Sequence, residues 1–281
     1  MLGVVVSELL GLSHAEKIQG QKPKSCTLVT QPASHLVLRV SNPRLEFARL
    51  VEFALAQARD NRVYRTLENG AVVGQDVTLG EGVVIEPLAF LDHDVTIGDR
   101  TIIRSGAKIR RFVEIGRECR IRENAVIGSD GFGFERDSRG LPVRLPHLGG
   151  VRIGDNVEVG ALTTVVGGTI DPTIIEDYVK IDDHVHVGHN SIIRRGALLT
   201  ACAEVGARVE VGEFAWLGAN CSTFQGIQIG AHAVVGLGAT VLRSVAPNTT
   251  VAGNPARVTT ELRKINAAQA RLLDAVKDGR L

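Results

Sequence analysis

The chain has 281 residues, 44% of them hydrophobic but only 4% aromatic, with 31 glycines and a formal net charge of +1. So small a charge gives no long-range pull toward nucleic acid or an anionic membrane surface. The four cysteines (Cys26, Cys119, Cys202, Cys221) are too scattered for a disulfide framework or a CxxC site, so they read as reduced thiols of a cytoplasmic protein.

Taken from the start, the apolar run "LGVVVSELLGL" at 2–12 is short, has no basic flank and contains Glu8, so neither a signal peptide nor a membrane span is expected. "CTLVT" and "HLVLRV" read as strands. "SNPRLEFARLVEFALAQAR" reads as a helix capped by Ser41 or Asn42, with Pro43 in its first turn. Together they predict a small N-terminal α/β domain over residues 1–66.

From there a six-residue period takes over. Aliphatic residues stand at every sixth position from Val73 to Ile127, again from Ile153 to Val165, and again from Ile175 to Val241, with Thr223 the single polar occupant. Neither a helix, with period 3.6, nor an alternating strand sustains that spacing. Three hexads close a triangular coil with a short strand on each side and the aliphatic group inside. Each buried aliphatic contributes roughly 1.5–3 kcal/mol, and coils stack about 4.8 Å apart. The expected fold is therefore dominated by β structure: a left-handed parallel β-helix over 67–258, about eight coils. Glycine often follows the aliphatic residue ("VTIGDR", "VEIGRE"), and glycine or a small polar residue is expected at the corners, where positive φ is tolerated.

Two segments break the period. "GFGFERDSRGLPVRLPHLGG" at 131–150 reads as an extruded loop, and "GGTIDPT" at 167–173 as a slip. After the coils, "VAGNPARV" forms a turn. A helix over 259–281 then carries Leu262, Ile265, Ala268, Leu272 and Val276 on one stripe, suited to closing the open end of the solenoid or packing in a trimer.

Three motifs in order, "VSNPRLEFARLVE", "IGSDGFGF" and "IDDHVHVGHN", resemble the UDP-3-O-(3-hydroxyacyl)glucosamine N-acyltransferases of lipid A synthesis. The resemblance runs from about residue 38 to about residue 245. It implies an enzyme that moves an acyl group from a thioester carrier to the amine of a nucleotide-linked amino sugar. It also implies a homotrimer with active sites between subunits. His189 matches the catalytic base and Asp182 the family's aspartate, which would orient the ring or stabilise the imidazolium. Ala207, one coil further, would offer its backbone N–H to the oxyanion. Asp130, Phe132, Phe134, His184 and Asn190 are the candidates for substrate contact. The donor is acyl-ACP or acyl-CoA as a co-substrate, with no tightly bound cofactor and no metal.

The chain departs from that family in three places. It has no FxxNxxY uridine motif, its first phenylalanine being Phe47; Gly226 stands where the family has a second histidine; and "TTVVGGTID" replaces a "TIDRGA"-like stretch. "VAGNPARV" resembles instead the ending of acetyl-CoA-dependent sugar acetyltransferases. Two other readings remain. His184 and His189 have the HxxxxH spacing of zinc-dependent β-helical carbonic anhydrases, which need a third histidine, with His147 the nearest candidate in sequence. A non-enzymatic solenoid scaffold is the other. Arg104, Arg110 and Arg122 share one slot after the inward aliphatic residue, where they would bind phosphate or a carrier protein, or form a solvated face.

Overall fold

The computed structural model describes residues 27–30, 36–58 and 63–278; the run at 2–12 and Cys26 lie outside them. The chain divides into two compact units, one formed by 1–62 with 132–146 and the other by 63–131 with 147–281.

In the first unit, strands Thr27–Thr30 and Leu36–Arg39 pair antiparallel. Helix α1 spans Pro43–Ala58. Its cap is Asn42, whose Oδ1 accepts the Leu45 N–H at 3.1 Å, satisfying one of the donors that the first helical turn leaves open. The excursion read from sequence as a loop is an antiparallel hairpin, Phe134–Arg136 with Pro142–Arg144. It joins α1 in this unit, where Arg44 pairs with Glu135 at 3.0 Å.

The second unit is the predicted left-handed β-helix. Its strands form three sheets of ten, eight and ten strands; face one runs from Arg65–Thr66 to Thr240–Val241, and faces two and three begin at Thr78–Leu79 and Val84–Ile85. Stacking is parallel and in register: Val165, Val187, Val205, Thr223 and Val241 lie one above another on face one. The inward column is buried from Leu91 to Val241, while near its start Leu79 is exposed and Ile85 half-buried. Thr223 is accommodated in it because its Oγ1 accepts the Gly206 N–H at 3.1 Å.

A second inward column, two residues before the first, was not read from the sequence. It holds smaller groups, among them Ala89, Ala107, Cys119, Ala125, Ala197, Ala203 and Cys221, as the narrowing corner of a triangle requires. Where the group is polar it bridges coils. Thr101 Oγ1 donates to Gly116 O (2.8 Å) and accepts from Cys119 N–H (3.0 Å), and Ser191 does the same between Gly206 O and Val209 N–H. Burial pushes the Cys119 thiol up and the Cys221 thiol up to about 11.

The corners meet that expectation in part. Positive φ falls three residues after the inward aliphatic residue, and glycines (Gly82, Gly106, Gly196) and small polar residues (Asp76, Asn124, Asn220) stand at many of those positions, but bulky side chains are accepted there too: Leu88, Arg100, Phe112, Leu162, Tyr178, His184 and Phe214 all have φ between 53° and 61°. The glycine directly after the aliphatic residue serves another purpose. A Cβ at Gly98 would stand 2.7 Å from Gly116 C and 2.9 Å from Arg117 N, in the backbone of the next coil. Glycine there lets coils approach; it does not bend the chain.

Helix α2, Thr259–Lys277, touches the closing strands Thr250–Ala252 and Arg257–Val258. Leu262 and Ile265 are half-buried, while Leu272 and Val276 are exposed, so only the start of the stripe packs on the solenoid. No described helix is long and apolar enough to cross a membrane.

Two outcomes check this reading. Gly98→Ala should lower the thermal midpoint, at a cost of about 1–3 kcal/mol for overpacking. Leu88→Gly, which removes an exposed side chain from a left-handed corner, should not, since that conformation costs a non-glycine residue about 1–2 kcal/mol. Thiol alkylation followed by peptide mapping should leave Cys119 and Cys221 unmodified in native protein and modify both after denaturation.

Candidate active site

The corner between faces one and two departs from the regular pattern. The 131–150 excursion leaves the helix after strand Val126–Ser129, and the slip at 167–172 after strand Thr164–Val166, both at this corner. His189 and Asn190 follow strand His186–Val187, and Ala207 and Arg208 follow strand Glu204–Val205, in the next two coils. The extra chain length of the slip carries Thr169 and Asp171 against Asn190, the residue after His189.

The organising group is Asn190, at positive φ of 58°. Its Nδ2 donates to Asp171 O at 2.7 Å, and its Oδ1 accepts from Thr169 N–H (3.1 Å) and Thr169 Oγ1 (3.0 Å). Its backbone N–H donates to Thr173 Oγ1 at 2.8 Å. These bonds fix which end of the amide is oxygen. That oxygen lies 3.0 Å from His189 Nδ1. A carbonyl oxygen only accepts, so Nδ1 carries the hydrogen and, in the neutral ring, the lone pair sits on Nε2. His189 is half-buried. Its carbonyl accepts the Arg208 N–H at 2.9 Å, while the Ala207 N–H has no hydrogen-bond acceptor among the described residues. Gly188 is required here, because a Cβ would stand 2.6 Å from Ala207 N.

A second histidine meets this ring. His147, where the chain returns from the hairpin, packs edge to face on His189 with ring centroids 5.1 Å apart. Asn190 is expected from the sequence as a substrate contact, not as the orienter, and His147 enters that reading beside His189 only as a third zinc ligand, not as a packing neighbour. The "GHN" motif placed Asn190 beside His189 in sequence, which was a usable signal; His147 lies outside the six-residue register, which therefore could not place it against the ring.

Asp182 is elsewhere. It follows strand Lys180–Ile181 of face three, so strand His186–Val187 separates it from His189 within one chain. Its Oδ1 accepts from Asp183 N–H (2.8 Å) and its Oδ2 from Ala201 N–H (3.1 Å). Asp183 similarly accepts from Ala161 N–H and pairs with Arg122. Both aspartates pin neighbouring coils. His184 is exposed at that same corner, with φ of 58°. His184 and His189 therefore point from opposite ends of a strand, and no three His, Cys, Asp or Glu side chains converge on a metal position among the described residues. Asp130 is exposed on the solenoid unit. Phe132 and Phe134 belong to the first unit, their rings 4.9 Å apart and Arg144 over Phe134; Phe132 is 92% exposed. The arginine lane is neutralised within the fold: Arg104 pairs with Glu86, Arg110 with Asp92 and Arg122 with Asp183. Glu86 is held below the usual carboxylate range by its hydrogen bond from Arg104.

Known proteins agree with this architecture. Residues 76–111 and 94–129 match the bacterial transferase hexapeptide model, and 208–243 match the hexapeptide repeat of succinyl-transferase. The fold is shared with UDP-N-acetylglucosamine acyltransferases from Campylobacter jejuni (TM-score 0.62, 25% identity, 69% of this chain and 73% of that one) and Bacteroides fragilis (TM-score 0.63, 22% identity, 71% and 77%). UDP-3-O-acylglucosamine N-acyltransferases from Janthinobacterium and Legionella pneumophila are 35% and 44% identical to 44% and 34% of this chain. The matched stretches span only 35% and 27% of those relatives' lengths. The enzyme of that name from Helicobacter hepaticus is 37% identical over 253 residues, covering 88% of this chain and 78% of the relative. With that extent of identity added to the β-helix and the "GHN" corner, the chain belongs to the UDP-3-O-acylglucosamine N-acyltransferase family.

Proposed function

We propose that this protein transfers an acyl group from a thioester carrier to the amine of a nucleotide-linked amino sugar, with His189 as the general base. The observation that carries the reading is the 3.0 Å contact of His189 Nδ1 with Asn190 Oδ1, which leaves Nε2 as the proton acceptor. As the amine nitrogen bonds to the thioester carbon, Nε2 takes the proton that the nitrogen loses. The carbonyl electrons move onto oxygen, where the Ala207 N–H meets the developing charge. The C–O double bond then re-forms, the C–S bond breaks, and the thiolate leaves with the proton from the imidazolium. The products are an amide and a free thiol.

Family membership supports an amino-sugar acceptor used in lipid A or envelope polysaccharide synthesis, and an acyl-ACP or acyl-CoA donor. Asp130, Phe132, Phe134 and His184 are proposed as substrate contacts in a homotrimer. Asp182, remote from His189 in its own chain, would serve this chemistry only across a subunit boundary, facing the imidazolium of a neighbouring copy.

The direct assay supplies UDP-linked amino sugars with acyl-ACP or acyl-CoA and follows free thiol. Release that requires both substrates supports the proposal, and none with any pair refutes it. Competing the two donors in one vessel identifies the carrier. In the productive pair His189→Ala should lower kcat by roughly 10²–10⁴, the usual contribution of a placed general base. Asn190→Ala should also lower kcat, because the ring loses the acceptor that fixes its tautomer, and Asn190→Asp, which keeps an acceptor oxygen, should restore part of the rate. Light scattering should report a trimer; an active monomer would rule out any role for Asp182 across subunits.

A further inference from the structure

The imidazole of His189 has two neighbours of different kinds, and the mechanism uses only one of them. Asn190 holds a single edge of the ring through Nδ1. Rotation about a bond from a tetrahedral carbon to a flat ring has broad minima, so one hydrogen bond leaves the plane of the ring loosely defined. His147 supplies the second restraint. Its ring meets the His189 ring at 5.1 Å between centroids and 67° between planes. The backbone beyond it is tied to the slip: Leu148 N–H donates to Thr169 O at 2.9 Å, and Gly149 N–H to Gly168 O at 2.8 Å.

His147 is itself confined. Both of its ring nitrogens are buried, and its Nε2–Cε1 edge faces Gly131. A Cβ at Gly131 would stand 2.7 Å from His147 Nε2, 3.2 Å from Cε1 and 3.0 Å from Val166 Cγ1. The ring thus fills the space between the Gly131 backbone and His189, and Gly131 has no side chain because that ring is there. Thr169 also joins the two restraints, accepting from Leu148 through its carbonyl and donating to Asn190 Oδ1 through its hydroxyl.

We propose that His147 is a positioning residue for the base: an aromatic wall that sets the plane of the His189 imidazole so that Nε2 is aimed at the incoming amine. The proposal rests on the assignment of His189 as the base. It asks for a flat ring at position 147 and for no proton transfer there. A misplacement of about 1 Å in a reacting group can cost on the order of 10² in rate.

The test is a series at 147 and 131, with thermal melting used to retain only folded variants. His147→Ala should lower kcat about 10- to 100-fold while the KM values of both substrates stay within about two-fold. His147→Phe, which keeps a ring edge against His189, should recover most of the rate. His147→Gln, polar but not aromatic, should stay with alanine. Gly131→Ala should slow the wild-type enzyme and have a smaller effect in the His147→Ala background, where the ring it displaces is gone and only the approach to Val166 Cγ1 remains. Labelling of histidine Cε1 reads the same contact without turnover: the His189 resonance should shift and broaden in His147→Ala and stay narrow in His147→Phe. Phenylalanine as slow as alanine, or an alanine variant with wild-type kcat and an unchanged His189 resonance, overturns the proposal. An active His189→Ala would instead overturn the assignment of the base, leaving the ring contact still measurable.

Discussion

Everything in the solenoid depends on the coils stacking at backbone hydrogen-bond distance while two inward side chains per face, one large and one usually smaller, fill the interior. That constraint leaves no room for a Cβ directly after the inward residue at positions such as Gly98 and Gly188. It forces the chain into left-handed φ three residues after the inward residue whatever side chain stands there. It also leaves corner N–H groups to be met from neighbouring coils, which is the work of Asp99, Asp155, Asp177, Asp182 and Asp183. These five aspartates are therefore scaffold groups: backbone donors at the corners need partners, and a carboxylate on a neighbouring coil supplies them.

The candidate site arises where that regularity is given up. Between faces one and two, the extra residues of the slip carry Thr169 and Asp171 to Asn190, and Asn190 to His189. At other corners, aspartates such as Asp99 and Asp155 bond the backbone of a neighbouring coil. Here a hydrogen-bonded amide holds an imidazole that faces outward. The energetic cost of interrupting the stack is met locally by the same bonds that orient the ring, so the insertion is tolerated and useful for one reason.

How much of this could be read in the sequence follows from the same physics. The six-residue period is imposed by packing at every rung, so it survives in the sequence and gave the fold, the inward column and the two interruptions. The Asn42 cap and Pro43 marked the start of α1 for equally local reasons. What depended on position modulo the coil was harder. Asp182 and Gly188 occupy the same slot one hexad apart, so His189 and Asp182 had to belong to adjacent corners; the seven-residue spacing taken from the family resemblance obscured that count. His147 lies where the period is suspended, and its approach to His189 is decided by how the chain returns to the stack, which no periodicity records. The stripe on α2 was legible as amphipathic, but of its residues only Leu262 and Ile265 are half-buried among the described residues.

The central claim is that the fold presents Nε2 of His189 as the base by holding Nδ1–H on Asn190. Nitrogen NMR of the histidine rings tests it most directly, since the two neutral tautomers give opposite patterns at the two nitrogens. The account requires the hydrogen on Nδ1 and a bare Nε2 in His189 at a pH where the ring is neutral, with that preference weakened in Asn190→Ala. A neutral His189 with its hydrogen on Nε2 would contradict it, whatever the enzyme transfers.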